Sequence, residues 1–253
     1  MTTSKKMAVV TGASRGIGRS VALGFIQQGY EVWALARSKE ALDELRREAG
    51  EALHPLPVDV ADEAALLAAC RTVLQAGTPS VLVNNAGISH AAPLTKTRTE
   101  DLHRVMAVNV TAPYILCREL IPAMVAAGGG RVINIGSIAA VRGAKYTSAY
   151  CASKHALLGI TRALAVEYAR KGVTVNQVNP GWVETDMLAN AVGTIAQTTG
   201  RTEAQAREAL ASMNAIGRVI KPEEVAAMCL FLASDMAAGI TNAVYAVDGG
   251  EPG

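Results

Sequence analysis

The chain has 253 residues, 50% of them hydrophobic and 18% charged. That is enough apolar surface to offset the entropy of ordering a chain of this length, which excludes extended disorder and admits an enzyme-sized α/β unit. With 24 Lys and Arg against 22 Asp and Glu, the formal charge of +2 lacks the basic excess that binding to a phosphate backbone draws on, so no nucleic-acid partner is expected.

Met1 to Lys6 is polar and basic, and the apolar stretch that begins at Met7 stops at a Thr-Gly turn. No signal peptide and no 18-residue apolar span are read here, so no membrane association and a cytoplasmic location are expected. Short β-branched runs then alternate with longer Ala- and Leu-rich stretches. This is the pattern of an α/β fold, a doubly wound parallel seven-stranded sheet with helices on both faces. Strands are predicted at Met7 to Thr11, Glu31 to Ala36, Leu53 to Val58, Val81 to Asn84, Arg131 to Gly136, Val173 to Asn179 and Ala243 to Val247. Helices are predicted at Gly18 to Gln28, Lys39 to Ala49, Asp62 to Ala76, Asp101 to Ala127, Ala149 to Arg170 and Pro222 to Leu232.

Glu184 to Asn214 admits no strand; within it Arg201 to Met213 has helical spacing, with Ala204, Ala209 and Leu210 toward one side. No linker, charge block or repeat divides the series, so 1–253 reads as a single domain in which 184–214 forms a substrate lid or pocket wall. Cys70, Cys117, Cys151 and Cys229 form no close pair, and His54, His90, His103 and His155 show no ligand spacing. Free thiols in a reducing compartment are expected, with neither a disulfide framework nor a metal site.

Thr11 to Gly18 reads TGASRGIG, directly after the first strand and directly before an apolar helix. Gly12 allows a tight turn, Gly16 lets the chain approach a ligand, and Gly18 lets the helix pack closely while its free N–H groups face a pyrophosphate. A purely structural glycine-rich turn is the competing reading. The second strand ends at Ala36, which cannot accept hydrogen bonds from the ribose hydroxyls of NAD(H), whereas Arg37 and Arg15 offer guanidinium donors to a 2′-phosphate. NADP(H) is therefore expected over NAD(H), against the alternative that both arginines are solvated loop residues. Asp59 and Val60 follow the third strand, where they could meet an adenine ring, and Asn84-Asn85-Ala86-Gly87 follows the fourth. An Asx-turn or a structural cap accounts for Asp59 or Asn84 equally well.

Tyr150 and Lys154 open an apolar helix one turn apart and share a face. In an arbitrary protein such a pair is a surface Tyr and Lys; the dinucleotide context makes it a candidate proton donor with an adjacent ammonium. That ammonium and the positive charge of a nicotinamide would lower the phenol's pKa from about 10, and bringing it to about 7 corresponds to about 4 kcal/mol of differential stabilisation. Ser137 ends the strand before this helix, at the sheet edge that would receive the cofactor, and can donate to a carbonyl oxygen. Asn109 lies in an apolar helical stretch, as either a buried structural amide or an anchor for water in a proton path.

Together these residues resemble the short-chain dehydrogenase/reductase family. TGASRGIG is similar to its glycine motif, Asn84 to Gly87 to its NNAG motif, and Asn109, Ser137, Tyr150 and Lys154 to its catalytic tetrad; Pro180-Gly181 and Asp248-Gly249-Gly250 also match. The resemblance spans Met7 to Gly250 with the motifs in order. It implies a Rossmann-like domain and reversible hydride transfer between a nicotinamide and a carbonyl or carbinol carbon, with Ser137 and Tyr150 polarising the carbonyl and Tyr150 supplying the proton. Lys154 would bind the nicotinamide ribose and help replenish that proton through water held by the main chain at Asn109. The implied cofactor site comprises Gly12, Ser14, Arg15, Gly16, Ile17, Gly18, Arg37, Asp59, Val60, Asn85, Ala86, Gly87, Tyr150, Lys154, Pro180, Gly181, Val183 and Thr185. The implied assembly is a homotetramer, with a four-helix interface made partly by the helices at Asp101 to Ala127 and Ala149 to Arg170.

Within the family the chain is most similar to reductases of 3-oxoacyl thioesters and polyketide intermediates, through TGASRGIG, YCASKHALLGITRAL and NPGWVETDM. Trp182 and the long span Asn190 to Asn214 depart from the acyl-carrier-protein ketoreductases and favour the rivals, a CoA thioester or a compact cyclic ketone. His90, Arg142, Tyr146, Trp182 and Met187 leave strand ends near the tetrad and, with Ser137, are the candidate substrate contacts; loop packing is the alternative for each of the five. Thr185 is expected near the nicotinamide carboxamide, and Met187 and Leu188 on the substrate side. A non-catalytic dinucleotide sensor would need neither Tyr150 nor Lys154, and an isomerase or dehydratase would need a second acid or base, for which His90 is the obvious candidate.

Overall fold

The computed structural model describes residues 6–251; the reading of the leader rests mostly on residues outside this range. Seven parallel strands form one sheet: β1 Met7–Thr11, β2 Glu31–Ala36, β3 Leu53–Pro57, β4 Val81–Asn84, β5 Gly130–Ile135, β6 Val173–Pro180 and β7 Val244–Val247. Their order is β3-β2-β1-β4-β5-β6-β7, and every neighbouring pair is parallel. The chain winds outward from β1 through β3 and then crosses back to β4, so a crevice opens at the C-terminal ends of β1 and β4, where open α/β sheets bind ligands.

The helices are α1 Gly16–Gln27, α2 Lys39–Ala49, α3 Glu63–Ala76, α4 Thr99–Met106, α5 Ala112–Ala126, α6 Ser148–Tyr168, α7 Asp186–Thr199, α8 Glu203–Ala211 and α9 Pro222–Ala233. Alternate strand residues feed two cores, because successive side chains point to opposite faces. Ala8, Val10, Val81, Val83, Ile133 and Ile135 pack with Val21 and Phe25 of α1 and with Val225 and Cys229 of α9. Val9, Leu82, Val132 and Val175 pack on the other face with Leu66 of α3 and Leu116 and Leu120 of α5. Both faces are covered, which is why the strands read as continuous apolar runs. All four cysteines are buried free thiols.

Two predicted elements differ. The expected helix from Asp101 to Ala127 is interrupted by a π-helical turn at Ala107–Thr111, closed by a bond from Ala112 N–H to the Ala107 carbonyl. Such bulges are a common way to redirect a side chain within a helix. Glu184 to Asn214 holds two helices where only the second showed in the spacing. The buried residues of α8 are Ala206 and Leu210, an i, i+4 pair, and Ala204 is exposed. They meet Leu188 and Val192 of α7 in a small core of their own, with Trp182, Ile195 and Val219 against it. Gly200 turns the chain between the two helices at φ +71°, a conformation that suits glycine.

Candidate active site

The glycine-rich turn is held open from below. Thr11 Oγ1 accepts from the Asn85 and Ala86 N–H groups at 2.9 Å each, and Asn85 Nδ2 donates to the Thr11 carbonyl at 2.8 Å. Asn85 thus stitches β4 to the turn. A Cβ on Gly12, whose φ is +64°, would stand 2.8 Å from Asn85 Nδ2, and one on Gly18 would run into the Gly12 carbonyl and the same amide. Arg15 ends the turn at the N-cap of α1 without a side-chain cap, so the first N–H groups of the helix remain available to an anion. Gly87 faces the other end of the crevice, where a Cβ would lie 3.4 Å from Asn109 Oδ1 and 3.6 Å from Lys154 Nζ. Open helix N–H groups at one end and a glycine beside an ammonium at the other fit a dinucleotide laid across the strand ends.

Arg15 and Arg37 are both exposed, at the ends of adjacent strands. Arg15 bridges Asp186 Oδ2 at 2.6 Å, which ties the glycine-rich turn to the start of α7, a contact that a separation of 171 residues hid in the sequence. Ile17 packs on the first core, and Ser14 is half-buried. Asp59 Oδ1 accepts from Ala61 N–H at 3.0 Å, the Asx-turn alternative. Val60 is buried in the second core. Asn84 forms neither an Asx-turn nor a cap; its Nδ2 crosses to Asn134 Oδ1 at 2.8 Å. Gly181 N–H bonds to the Val247 carbonyl at 3.2 Å, and Val183 forms an isolated parallel bridge with Ile220. Thr185 stands at the N-cap position of α7 without a side-chain cap, its Oγ1 donating to the Val183 carbonyl at 3.1 Å and its Cγ2 lying toward Gly16.

Ser137, Tyr150 and Lys154 converge on the end of β5. Lys154 is 4% exposed, and its Nζ donates to the Ile135 carbonyl at 2.8 Å and lies 5.8 Å from the centre of the Tyr150 ring. Burial lowers the Lys154 pKa to about 8. Burial also raises the Tyr150 phenol above its ordinary value, against the opposing pull of the Ser137 hydroxyl beside it. The direction expected from the sequence is therefore reversed for the protein groups alone. Desolvation outweighs the hydrogen bond from Ser137, and depressing the phenol would fall to the charge of a bound, oxidised nicotinamide.

Asn109 is buried inside the π-helical turn. Its side chain clamps the Ile88 main chain, accepting from the N–H and donating to the carbonyl at 2.9 Å each, and donates to Ser153 Oγ at 3.0 Å. The buried-amide reading holds for this side chain. The carbonyl is a separate matter, since Pro113, four residues on, has no N–H with which to close an α-helical bond to it.

Around the mouth the outcomes divide. Tyr146, at φ +68°, is a non-glycine residue in the left-handed region, a strained conformation of the kind found at functional sites. Its carbonyl accepts from Ala92 N–H at 2.8 Å, joining the two loops over the site. Tyr146 and Met187 are exposed. His90 is half-buried, and its Nε2 is buried without a hydrogen-bond partner. Arg142 is engaged by Glu251 Oε1 at 2.7 Å, a pairing over 109 residues that loop position could not foretell. Trp182 packs against the core between α7 and α8, and Leu188, expected on the substrate side, is buried in that core.

Among the described residues no group of three or more His, Cys, Asp or Glu could hold a metal ion. No helix among them is long and apolar enough to cross a membrane.

A protein-family model described as enoyl-(acyl carrier protein) reductase matches residues 12–251. The chain is 37% identical over 254 residues to the 3-oxoacyl-(acyl-carrier-protein) reductase of Pseudomonas aeruginosa, covering 99% of this chain and 98% of that protein. It is 37% identical over 246 residues to the galactitol 2-dehydrogenase (L-tagatose-forming) of Cereibacter sphaeroides, covering 96% and 93%. The structure of actinorhodin polyketide ketoreductase with NADPH superposes with a TM-score of 0.94 at 33% identity, covering 99% of this chain and 98% of that one. Matches of this extent, on a sheet with this order and with these motifs at its strand ends, establish that the chain belongs to the short-chain dehydrogenase/reductase family.

Proposed function

We propose that the protein reduces a 3-oxoacyl thioester to the 3-hydroxyacyl thioester, with Tyr150 as the general acid. It is an NADP(H)-dependent oxidoreductase acting on small carbonyl and alcohol substrates. The observation that carries the proposal is the convergence of Ser137, Tyr150 and Lys154 at the end of β5, with Lys154 buried and Tyr150 half-buried beside it.

When bound, the cofactor supplies hydride transfer to the carbonyl carbon. The remaining work falls to the chain. Ser137 donates its hydroxyl proton toward the substrate oxygen, and Tyr150 delivers the proton that the developing alkoxide requires. Lys154, fixed on the Ile135 carbonyl, keeps a positive charge near the phenol and the ribose. The Asn109 carbonyl, which Pro113 cannot cap, holds water through which the phenol is reprotonated. The helix N–H groups of α1 would hold the pyrophosphate, and Arg37, with Arg15 beside it on exchange of its bridge to Asp186, would hold the 2′-phosphate.

The chain acts as one domain in which α7 and α8 wall the crevice. A cytoplasmic homotetramer is part of the same reading: Tyr114 on α5 and Val166 on α6 expose apolar surface on the helices assigned to the interface. The thioester is favoured over a compact ring because Trp182, the aromatic face that argued for a ring, packs partly against the α7 and α8 core. Similarity to a 3-oxoacyl reductase and a polyketide ketoreductase supports it further.

The test is a substrate panel with NADPH: acetoacetyl-CoA and longer 3-oxoacyl thioesters against carrier-free cyclic ketones and ketoses. The thioesters should give the highest kcat/KM, and shortening the carrier should lower it even with the 3-oxo group retained. Equal turnover of a cyclic ketone or a ketose discards the thioester and leaves the assigned acid intact.

A further inference from the structure

β6 is buried along all eight of its residues, yet it carries three amides, Asn176, Gln177 and Asn179. Buried amides cost free energy unless every polar atom finds a partner. Asn176 satisfies the Ile240 carbonyl and the Ala243 N–H, which fixes the approach to β7. The other two point the opposite way along the sheet.

Gln177 Oε1 accepts from Thr161 Oγ1 at 3.1 Å, and Gln177 Nε2 donates to Asn179 Oδ1 at 2.8 Å. The same Asn179 oxygen accepts from the Ser137 main-chain N–H at 3.2 Å. The bond stands at the end of the ladder. Gly136 N–H bonds to the Val178 carbonyl at 2.7 Å, but Pro180 has no N–H to return to the Gly136 carbonyl, so the β5·β6 ladder ends there. Ser137 lies beyond the last ladder bond, and its N–H is held by a side chain. Gly136 belongs to the same arrangement, because a Cβ there would collide with Asn179 Oδ1 and Gln177 Nε2. Ser137 is thereby held extended, at φ −174°, while its Oγ accepts from Ala139 N–H at 3.1 Å. With that hydroxyl oxygen anchored, its proton is left to point into the site.

We propose that Asn179, locked by Gln177, is a positioning residue for Ser137: it holds the Ser137 main chain just beyond the end of the β5·β6 ladder and so sets the direction in which the Ser137 hydroxyl donates. This rests on the catalytic reading of Ser137 given above.

The test compares Asn179→Leu, which fills the volume without an acceptor, with Asn179→Asp, which keeps the oxygen, in the wild-type and Ser137→Ala backgrounds. Three quantities are measured on the full-length protein: exchange of the Ser137 amide hydrogen, NADPH affinity by fluorescence titration, and kcat with acetoacetyl-CoA. The expected result is at least tenfold faster exchange and at least a tenfold loss of kcat in Asn179→Leu, with NADPH affinity within twofold of wild type. Asn179→Asp should restore the protection of the Ser137 amide, and Asn179→Leu should cost nothing further once Ser137 is alanine.

Wild-type kcat or wild-type exchange in Asn179→Leu overturns the proposal, as does a loss that adds in full to that of Ser137→Ala. Normal turnover by Ser137→Ala overturns the catalytic reading of Ser137 and the positioning role with it. A damaging Ser137→Ala beside a harmless Asn179→Leu sinks the positioning role alone. Should Asn179→Leu not fold, Gln177→Met unlocks Asn179 while leaving its oxygen in place. Faster exchange at Ser137 with a kcat loss then supports the role, and unchanged exchange refutes it.

Discussion

Replacing Lys154 by Met should stabilise the ligand-free protein near neutral pH, and the advantage should vanish as the pH rises. Burial lowers the folded-state pKa of Lys154 from 10.5 to about 8. Between those values the unfolded chain carries a proton that the folded chain has released, so the stability of the wild type climbs with pH across that window. A tenfold change in an ionisation constant is worth about 1.4 kcal/mol, so the buried ammonium costs the fold about 3 kcal/mol at pH 7 and under about 1 kcal/mol by pH 10. Met removes this ionisation. It also forfeits the bond to the Ile135 carbonyl, worth about 1 kcal/mol, which subtracts from the gain without changing its slope.

The assay is urea unfolding of both proteins at fixed protein concentration from pH 7 to pH 10. Tyr150 sets the upper limit. Its raised pKa makes the folded chain hold a proton that the unfolded chain loses, so stability falls above pH 10 in both proteins alike. The expected outcome is a stability difference, Met variant minus wild type, that declines by about 2 kcal/mol or more over the range. A difference independent of pH would mean that Lys154 titrates as an ordinary exposed lysine, and the charge account of the site would fail with it.

Tyr150→Phe should fold and bind NADPH normally yet lose at least about a hundredfold in kcat, the size of a positioned proton transfer; near-wild-type turnover by the folded variant rejects the general acid. Arg37→Ala should raise the KM for NADPH while leaving that for NADH unchanged, measured as the ratio of kcat/KM for the two cofactors; an unaltered ratio places the 2′-phosphate elsewhere. Gly18→Ala drives a Cβ into the Gly12 carbonyl and Asn85, so NADPH affinity by fluorescence titration should fall at least about tenfold, with a lower Tm; normal affinity would show that the turn yields without cost.

The layers of this fold were legible in the sequence because each rests on local periodicity. Buried strands alternate with helices at spacings that any window of a dozen residues displays, and the predicted strands agree with the observed ones to within a residue at either end. The glycine-rich turn and the pair Tyr150 and Lys154 were equally readable, since a turn between strand and helix and an i, i+4 helical face are local geometries. What the sequence could not determine are contacts between residues far apart along the chain. The π-helical turn exists where Asn109 reaches the main chain of Ile88; without that partner in view, the stretch reads as continuous helix.

Arg142 looked like a free pocket residue until the fold brought Glu251 to it. Leu188 looked like pocket lining until α8 covered it. The direction of the Tyr150 and Lys154 pKa shifts also had to wait for the structure, because desolvation depends on every element packed around a group, whereas the spacing of two residues gives only their proximity. Gln177 and Asn179 left one clue in the sequence, amides inside an apolar strand run. The partner that gives Asn179 a purpose, the N–H of Ser137, is 42 residues away, and only tertiary packing sets a hydrogen bond over that separation.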